Sequence, residues 1–296
     1  MIMLKVIKII LIVSFITSTN FSFCLNALAQ GEAYQFFSND GKKLEFQDVL
    51  KRTQKVDITF FGELHNNSLA HWLQLQVLKG MAANDPELVL AAEFFERDDQ
   101  LNIDEWFAGK MTEKNFETEA KLWNNYKTDY RPLMQFAKDH NLKFIASNVP
   151  RKYASLVSRS GITSLDSLSL EAKSYFARLP FEIDMSMPGY IAMKDMMHGG
   201  PMNTDFMVQA QALKDATMAE SLFPSISAGH KILHVNGSYH SKDGEGILWY
   251  LKKEFPELKM LNIHTVTQDQ LDTLNPDYKK SGEIILVLPS DSHESY

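Results

Sequence analysis

The chain has 296 residues, 45% of them hydrophobic, and a formal net charge of −7 at pH 7. This length and apolar content are sufficient for one large domain with a substantial core. The negative charge argues against nucleic acid as a partner, because proteins that bind its phosphates carry an excess of Lys and Arg.

The amino terminus has the pattern of a secretory signal that is removed by cleavage. Lys5 and Lys8 precede an apolar run at residues 9–16, which is too short to cross a bilayer as a helix. Residues 27–29, Ala-Leu-Ala, supply the small residues of a cleavage site. We therefore expect a periplasmic protein whose mature chain begins at Gln30.

Lipid attachment at Cys24 is the less favoured alternative, because the bulky Phe23 precedes it where lipoprotein signals have a small residue. Cleavage of a signal at residues 1–29 would leave a single domain at residues 30–296 that contains no cysteine. Neither a disulfide nor a thiolate metal site could then form. The last residues, 291–296, are predicted to be frayed.

Beyond the signal, the pattern of apolar and polar segments predicts an α/β fold. The turn sequence at residues 39–41 separates two short apolar runs and predicts a hairpin. Six further apolar runs predict core strands, which begin near residues 56, 88, 142, 231, 259 and 283. The helical segments between them are long enough for right-handed parallel crossovers. We expect a mainly parallel central sheet flanked by helices.

Two segments, residues 98–141 and 150–230, are too long to be simple crossovers. Both have helical patterns, and we expect them to form a helical insertion, or lid, over the carboxyl edge of the strands. Within the second segment, residues 185–207 hold half of the chain's fourteen methionines, together with His198. This passage could line a pocket for a flat apolar cofactor, bind a soft metal through thioethers, or be plain helical core.

Two G-x-x-H units follow two of the predicted strands and indicate a shared site. The first contains Glu63 and ends in His65, and the second ends in His240. Glu93 follows the apolar run of a third strand. Because the carboxyl ends of parallel strands meet at one edge of a sheet, these four side chains should converge on one crevice. Imidazoles and carboxylates can bind a divalent metal, but each histidine could instead close its loop through hydrogen bonds.

Two more side chains are candidate ligands, and each also has an ordinary structural explanation. His71 lies in the first turns of the helix after His65, where the helix dipole disfavours its charged form and suits a ligand nitrogen. It could equally be a buried histidine bonded to a neighbouring loop. Tyr239 could ligate ferric iron or pack as an ordinary aromatic residue. The sequence has no G-x-S-x-G elbow, P-loop or dinucleotide fingerprint, so serine hydrolase chemistry and nucleotide binding are unsupported.

Five segments match a known family in order and spacing. They are residues 61–65 (FGELH), 93–98 (EFFERD), 146–151 (ASNVPR), 210–219 (AQALKDATMA) and 235–240 (VNGSYH). Together they resemble the ChaN-like haem-binding uptake family of the Tiki superfamily, whose other branches look like metal-dependent proteases and erythromycin esterases. The chain departs from the family pattern at Asn66, where many relatives have Asp, and at Ser238, where Asn is common.

The resemblance implies an exported protein that holds haem and takes part in haem and iron acquisition. Haem would lie between the carboxyl edge of the sheet and the helical lid. Its iron would be ligated by one of the following side chains: His65, His71, Tyr239, His240 or, after these, His198. The resemblance also raises an outer-membrane haem receptor system as a partner and a homodimer as an assembly.

The rival interpretation is a metal-dependent hydrolase of the Tiki or esterase kind. In that case His65, His240 and one acid would bind a divalent ion such as zinc or manganese. The other acid of the pair Glu63 and Glu93 would then activate water. Both interpretations require the same crevice residues, so the sequence leaves both open.

Overall fold

The computed structural model describes residues 32–196 and 203–296. In this part of the chain, one sheet of eight strands forms the centre. The strands are β1 (Gln35–Ser38), β2 (Lys43–Leu44), β3 (Ile58–Glu63), β4 (Val89–Glu96), β5 (Lys143–Asn148), β6 (Ile232–Gly237), β7 (Met260–Gln268) and β8 (Ile284–Pro289). The predicted signal sequence and His198 lie outside the described residues.

The strand order explains where the site lies. It is β2-β1-β8-β7-β3-β6-β4-β5, and the six strands from β3 to β8 are parallel. The β1–β2 hairpin joins antiparallel to β8. The predicted α/β fold with a mainly parallel sheet is confirmed. Because β3 lies between β6 and β7, the residues at its carboxyl end are in the middle of the crevice.

Helices pack on both faces of the sheet. They are α1 (Phe46–Thr53), α2 (Ser68–Ala82), α3 (Gln100–Phe107), α4 (Glu113–Glu119), α5 (Arg131–Asp139), α6 (Arg151–Ser160), α7 (Leu170–Lys173), α8 (Pro188–Met196), α9 (Thr204–Ser227) and α10 (Ile247–Glu254). Helices α2 and α5 pack in the core that contains Phe61 and Leu90, whereas α9 and α10 pack with Phe60 and Val89. Both faces of the strands are therefore buried, which is why their sequences are nearly continuous apolar runs.

The predicted helical insertion lies over the carboxyl edge of the sheet. Met193 of α8 and Gln211 of α9 line the same cavity as His65, which follows β3. Asn203 caps α9, since its side chain accepts hydrogen bonds from two backbone N–H groups of the first turn. No helix in the described ranges is both long and apolar enough to cross a membrane.

The second core strand is longer than its apolar run. It continues to Glu96, so Glu93 lies within β4 and not after it as predicted. Pairing with β5 is irregular between Ala92 and Glu96. Such an irregularity interrupts the regular alternation of side chains and commonly occurs next to functional sites. Glu93 is thereby buried at the crevice although the strand runs past it.

The expectation that residues 291–296 are frayed is wrong. Glu294 forms an isolated antiparallel bridge with Asn67 in the loop after β3. The Asn67 side chain also donates a hydrogen bond to Ser292, while Ser295 donates its backbone N–H to the carbonyl oxygen of Asn66. These hydrogen bonds hold the segment against the loop that carries His65.

Candidate functional site

Glu63 is a buried carboxylate surrounded by hydrogen-bond partners at the end of β3. Its Oε1 accepts a hydrogen bond from the Tyr130 hydroxyl at 2.5 Å and lies 2.9 Å from Nδ1 of His65. Its Oε2 accepts a hydrogen bond from the side-chain amide of Gln74 at 2.5 Å. A buried carboxylate without partners would be costly, so these contacts fix both the carboxylate and the His65 ring.

His71 lies on α2 behind this pair and supports the loop. Its Nε2 is 3.1 Å from the carbonyl oxygen of His65, and its Nδ1 is 3.1 Å from Oε1 of Gln74. The ring is only 2% exposed. Both nitrogens are therefore engaged, which is the geometry of a buried histidine bonded to a neighbouring loop.

The ion pair between Glu63 and His65 changes both pKa values. Burial opposes the charged form of Glu63, but His71 and His65 outweigh it and lower the pKa of this carboxyl group. Burial likewise opposes the charged form of His65, but its hydrogen bond with Glu63 and the charge of Glu93 raise its pKa. The pair thus favours a carboxylate beside an imidazolium ring.

Glu93 and His240 form a second buried pair. Nε2 of His240 lies 3.2 Å from Oε1 of Glu93, and the other Glu93 oxygen accepts the backbone N–H of Gly237 at 2.7 Å. On the opposite side of the ring, Nδ1 of His240 contacts Oδ1 of Asp215. Asp215 in turn accepts a hydrogen bond from the Tyr190 hydroxyl at 3.0 Å. The His240 ring therefore bridges two carboxyl groups.

The two carboxyl groups that contact His240 have pKa values shifted in opposite directions. Burial disfavours the charged ring of His240, but Glu93 and Asp215 outweigh it and raise its pKa to about 10. Burial also opposes the charged form of Glu93, yet His240 holds the pKa of Glu93 well below its usual range. By contrast, burial raises the pKa of Asp215 despite its contact with His240. Glu93 is therefore the more acidic of the two carboxyl groups that contact the His240 ring.

The two networks meet at Gly237. A Cβ atom at this position would lie 2.6 Å from Nε2 of His65 and 3.5 Å from Oε2 of Glu93. The strand ends thus bring Glu63, His65, Glu93 and His240 together in one crevice. Their roles as ligands or catalysts stay predictions.

An open cavity of about 650 Å³ lies beside these networks. Glu63, His65 and His240 form part of its wall. The remaining lining includes three tyrosines, one further histidine and an apolar residue, which are Tyr239, Tyr278, Tyr296, His264 and Val266. We call this space the strand-end cavity.

A second cavity of about 520 Å³ adjoins it, since His65 and Gln211 line both. Met193 and Met207 contribute to its wall, so part of the methionine-rich passage does face a cavity. Met196, however, is 74% exposed. We call this second space the lid cavity, because α8 and α9 supply part of its lining.

Tyr239 stands at the mouth of the strand-end cavity and is 38% exposed. Its hydroxyl donates a hydrogen bond to the carbonyl oxygen of Gly189 at the start of α8. Burial, followed by the charges of Asp215 and Glu245, raises the pKa of Tyr239. The residue is therefore a protonated phenol that links the cavity mouth to the helical insertion.

Two residues at the site were missed by the sequence analysis. Asp215 lies on α9 and gives no local signal, because its partner His240 is 25 residues further along the chain. His264 did carry a signal: it is the last residue of the apolar run that predicts the strand at residue 259, as Glu63 is for β3. The rule used for Glu63 would have found it.

The arrangement does not resemble a metal centre. Among residues 32–196 and 203–296, no group of three or more His, Cys, Asp or Glu side chains is placed to hold a metal ion. His65, His240, Glu63 and Glu93 are instead divided between two hydrogen-bonded networks. The metal-site interpretation of these four residues gains no support from their geometry.

The fold and the site together define a class of protein. It is an α/β protein with a mainly parallel sheet, whose open cavities lie at the carboxyl edge beneath a helical insertion. The model of the family described as "Haem-binding uptake, Tiki superfamily, ChaN" matches residues 49–251, and the chain belongs to this family.

Solved structures share the fold of this chain. ChaN of Campylobacter jejuni, described for its cofacial haem binding, is 17% identical, with 87% of this chain and 97% of that chain covered and a TM-score of 0.64. A succinoglycan biosynthesis protein is 11% identical, with 84% and 91% covered and a TM-score of 0.52. A Bacillus cereus protein is 10% identical, with 82% and 90% covered and a TM-score of 0.50. These likenesses show the fold, and no curated protein matches the chain.

Proposed function

We propose that this protein is an exported haem-binding protein that takes part in haem and iron acquisition. The observation that carries the proposal is the strand-end cavity, lined by histidines and tyrosines, in a chain of the ChaN family. The similar ChaN of Campylobacter jejuni binds haem cofacially. Haem supplies an iron centre whose axial position takes a nitrogen or oxygen ligand.

The size and apolar lining of the cavities suit such a group. Cofactor sites have volumes of about 300–1,000 Å³, and the two adjoining cavities measure about 650 and 520 Å³. Met193 and Met207 offer apolar contact to a flat porphyrin in the lid cavity, and Val266 does so in the strand-end cavity. Burial of the large porphyrin face would supply most of the binding free energy.

The polar side chains of the cavities suit the iron and the two propionate groups of haem. His65, His240 and Tyr239 line the strand-end cavity, whereas His71 holds the His65 loop from behind. Haem also carries two carboxylate groups, which require cations. Arg151 and Lys214 line the lid cavity and are placed to meet them.

A titration of the purified protein with haemin tests the proposal. The visible spectrum should show a saturable shift of the Soret band, and His240→Ala, which changes only one part of the cavity wall, should leave substantial haem association. Elemental analysis for zinc, iron and manganese should be run beside it. Absence of any saturable spectral change in the wild-type protein would contradict haem binding.

The hydrolase is retained as a second candidate because of the His240 bridge. A buried histidine between Asp215 and Glu93, beside an open cavity, is an arrangement common at catalytic sites. If this candidate is right, the purified protein should hold zinc or manganese tightly, and His65→Ala or His240→Ala should release it. A metal-free protein that binds haemin normally would eliminate it.

Export is the part of the proposal that rests on the signal sequence. Mass spectrometry of protein from the native envelope should show a chain that begins at Gln30. A lipidated amino terminus at Cys24 would overturn cleavage after Ala29. A receptor system and a homodimer stay predictions from the family resemblance.

A further inference from the structure

His264 differs from every other histidine of the site in its hydrogen bonding. Its Nδ1 is buried and has no hydrogen-bond partner. Within the described residues, no hydrogen bond to its Nε2 is found either. The side chain is only 6% exposed, yet it lines the strand-end cavity. An unpaired buried polar group is rare in native proteins and calls for a ligand or a functional explanation.

The sheet holds this ring at the level of the proposed haem site. β7 pairs in parallel with β3, and His264 lies opposite Gly62, one residue before Glu63. His264 lines the cavity, and its Nε2, unlike Nδ1, is not fully buried. Nε2 is therefore the nitrogen that a ligand in the cavity would meet.

The other histidines and the tyrosine are already engaged. Both nitrogens of His240 contact carboxyl groups, and both nitrogens of His71 contact oxygen atoms. Nδ1 of His65 contacts Glu63, and its Nε2 lies against Gly237. The Tyr239 hydroxyl donates to the carbonyl oxygen of Gly189. Ligation by His240, His71 or Tyr239 would require an existing hydrogen bond or ion pair to break, and the remaining nitrogen of His65, Nε2, is crowded by the backbone of Gly237.

We infer that His264 is the axial ligand that donates its Nε2 lone pair to the haem iron in the strand-end cavity. The inference rests on the proposed function. His264 lies beyond residues 49–251, the part of the chain that the family model matches, so it is not carried over from the family. In the step the neutral imidazole supplies an electron pair to ferric iron, the water or hydroxide bound at that axial position leaves to solvent, and the proton stays on Nδ1.

The ring is in the correct protonation state for this role. Burial, with the positive charge of Lys242, lowers the pKa of His264 to about 4. The imidazole is therefore neutral across the physiological range, as a ligating histidine must be. His240 is in the opposite state, because its pKa is raised to about 10.

The absence of a hydrogen-bond partner at Nδ1 affects how strongly His264 would bind iron. A histidine that ligates a metal usually donates its other N–H to a carboxylate or carbonyl group, which makes the ring a stronger donor. His264 lacks such a partner, so it would be a weak axial ligand. Weak ligation suits a protein that must release haem again.

The experiment compares wild-type protein, His264→Gly and the control His140→Gly after loading with haemin. His140 is exposed on the protein surface and lines neither cavity. Absorption and electron paramagnetic resonance spectra should show a histidine-ligated iron in the wild-type protein and in the control. His264→Gly should lose that signature, and added imidazole should restore it by filling the vacated space. The haem dissociation rate should rise several-fold in this variant.

The outcomes separate the inference from the proposed function. A wild-type protein that binds no haemin contradicts the function itself. Haemin that binds with the same spectra in wild-type protein and folded His264→Gly overturns the inference alone. A variant that loses the signature but does not regain it with imidazole also overturns it, because the loss would then reflect disturbed packing. Circular dichroism of each variant establishes that it is folded.

Discussion

Gly237 and His65 are in such close contact that any side chain at position 237 must displace the histidine ring: a Cβ there would lie 2.6 Å from its Nε2. The backbone of Gly237 also donates its N–H to Glu93. One residue at the end of β6 thus sets the position of the His65 ring and of the Glu93 carboxylate.

Gly237→Ala should therefore displace the His65 ring from Glu63. We expect the pKa of His65 to fall, because its hydrogen bond with Glu63 raises it, and the free energy of unfolding to drop by about 1–3 kcal/mol through overpacking. NMR titration and urea unfolding measure the two effects. In a His65→Ala background the same glycine replacement should cost little, since the clash is gone. Equal costs in both backgrounds would contradict this reading of the contact.

The His240–Glu93 pair predicts a pH window for stability. The pKa of His240 is about 10 in the folded protein and 6.5 in the unfolded chain. Its contribution to the free energy of unfolding is therefore complete below about pH 6.5 and is lost as the pH rises toward 10. The lowered pKa of Glu93 has the opposite effect. Its contribution to the free energy of unfolding is complete above about pH 4.5 and is lost as the pH falls below that value. Urea unfolding at a series of pH values should therefore show a maximum between about 4.5 and 6.5 from this pair.

Glu93→Gln tests the origin of that window. Removing one partner of a buried ion pair costs about 3–5 kcal/mol, and the decline above pH 6.5 should become shallower. Glu96→Gln is the matched control on the same strand, because Glu96 pairs with the half-exposed Lys121. Its effect should stay below about 1 kcal/mol. If the pH range of maximum stability is unchanged in Glu93→Gln, other groups produce it.

The methionine-rich passage can be tested residue by residue. Met193→Asp and Met207→Asp place a charge in the wall of the lid cavity and should weaken haemin binding at least tenfold, because a carboxylate against the porphyrin face is poorly solvated. Met196→Asp is the control, since Met196 is 74% exposed. Unaltered haemin affinity in folded Met193→Asp and Met207→Asp would place the porphyrin elsewhere.

The proposed role of Arg151 and Lys214 can be separated from simple packing. Haemin and its dimethyl ester differ only in the charge of the two propionates, so Arg151→Gln and Lys214→Gln should weaken binding of haemin but not of the ester. Lys152→Gln serves as the control, because Lys152 lies 3.7 Å from Asp98 and does not line the lid cavity. If wild-type protein binds both compounds equally, these cations do not hold the propionates.

Local sequence patterns were sufficient for the parts of the site that lie at strand ends. An apolar run followed by a polar residue located Glu63 and His65 correctly at the end of β3, and the second G-x-x-H unit located His240 after β6. Burial of both faces of a parallel sheet makes such apolar runs continuous and therefore recognisable. Glu93 was assigned to the correct crevice, but the strand boundary was wrong because the irregular pairing with β5 is invisible in an apolar run.

The partners of these side chains could not be predicted. Tyr130 is 67 residues from Glu63 along the chain, and the carboxylate of Glu93 receives a backbone N–H 144 residues away. The first pair depends on how the helical turn at Tyr126–Tyr130 packs against the sheet, and the second depends on the pairing of β4 with β6; no local pattern encodes either. His264 is the exception, because it is the last residue of the segment 259–264 for which the sequence predicts a strand, although β7 itself continues to Gln268.

The bridge between Asn67 and Glu294 has a consequence for the order of folding. The Asn67 side chain bonds Ser292, 225 residues away, and β3 itself pairs with β6 and β7 from the second half of the chain. Contacts of such long sequence separation form slowly, because the intervening chain must first lose entropy. Until β6 to β8 have emerged from the ribosome, the nascent chain cannot complete the loop around His65. The crevice at the carboxyl edge is therefore among the last features of the fold to form.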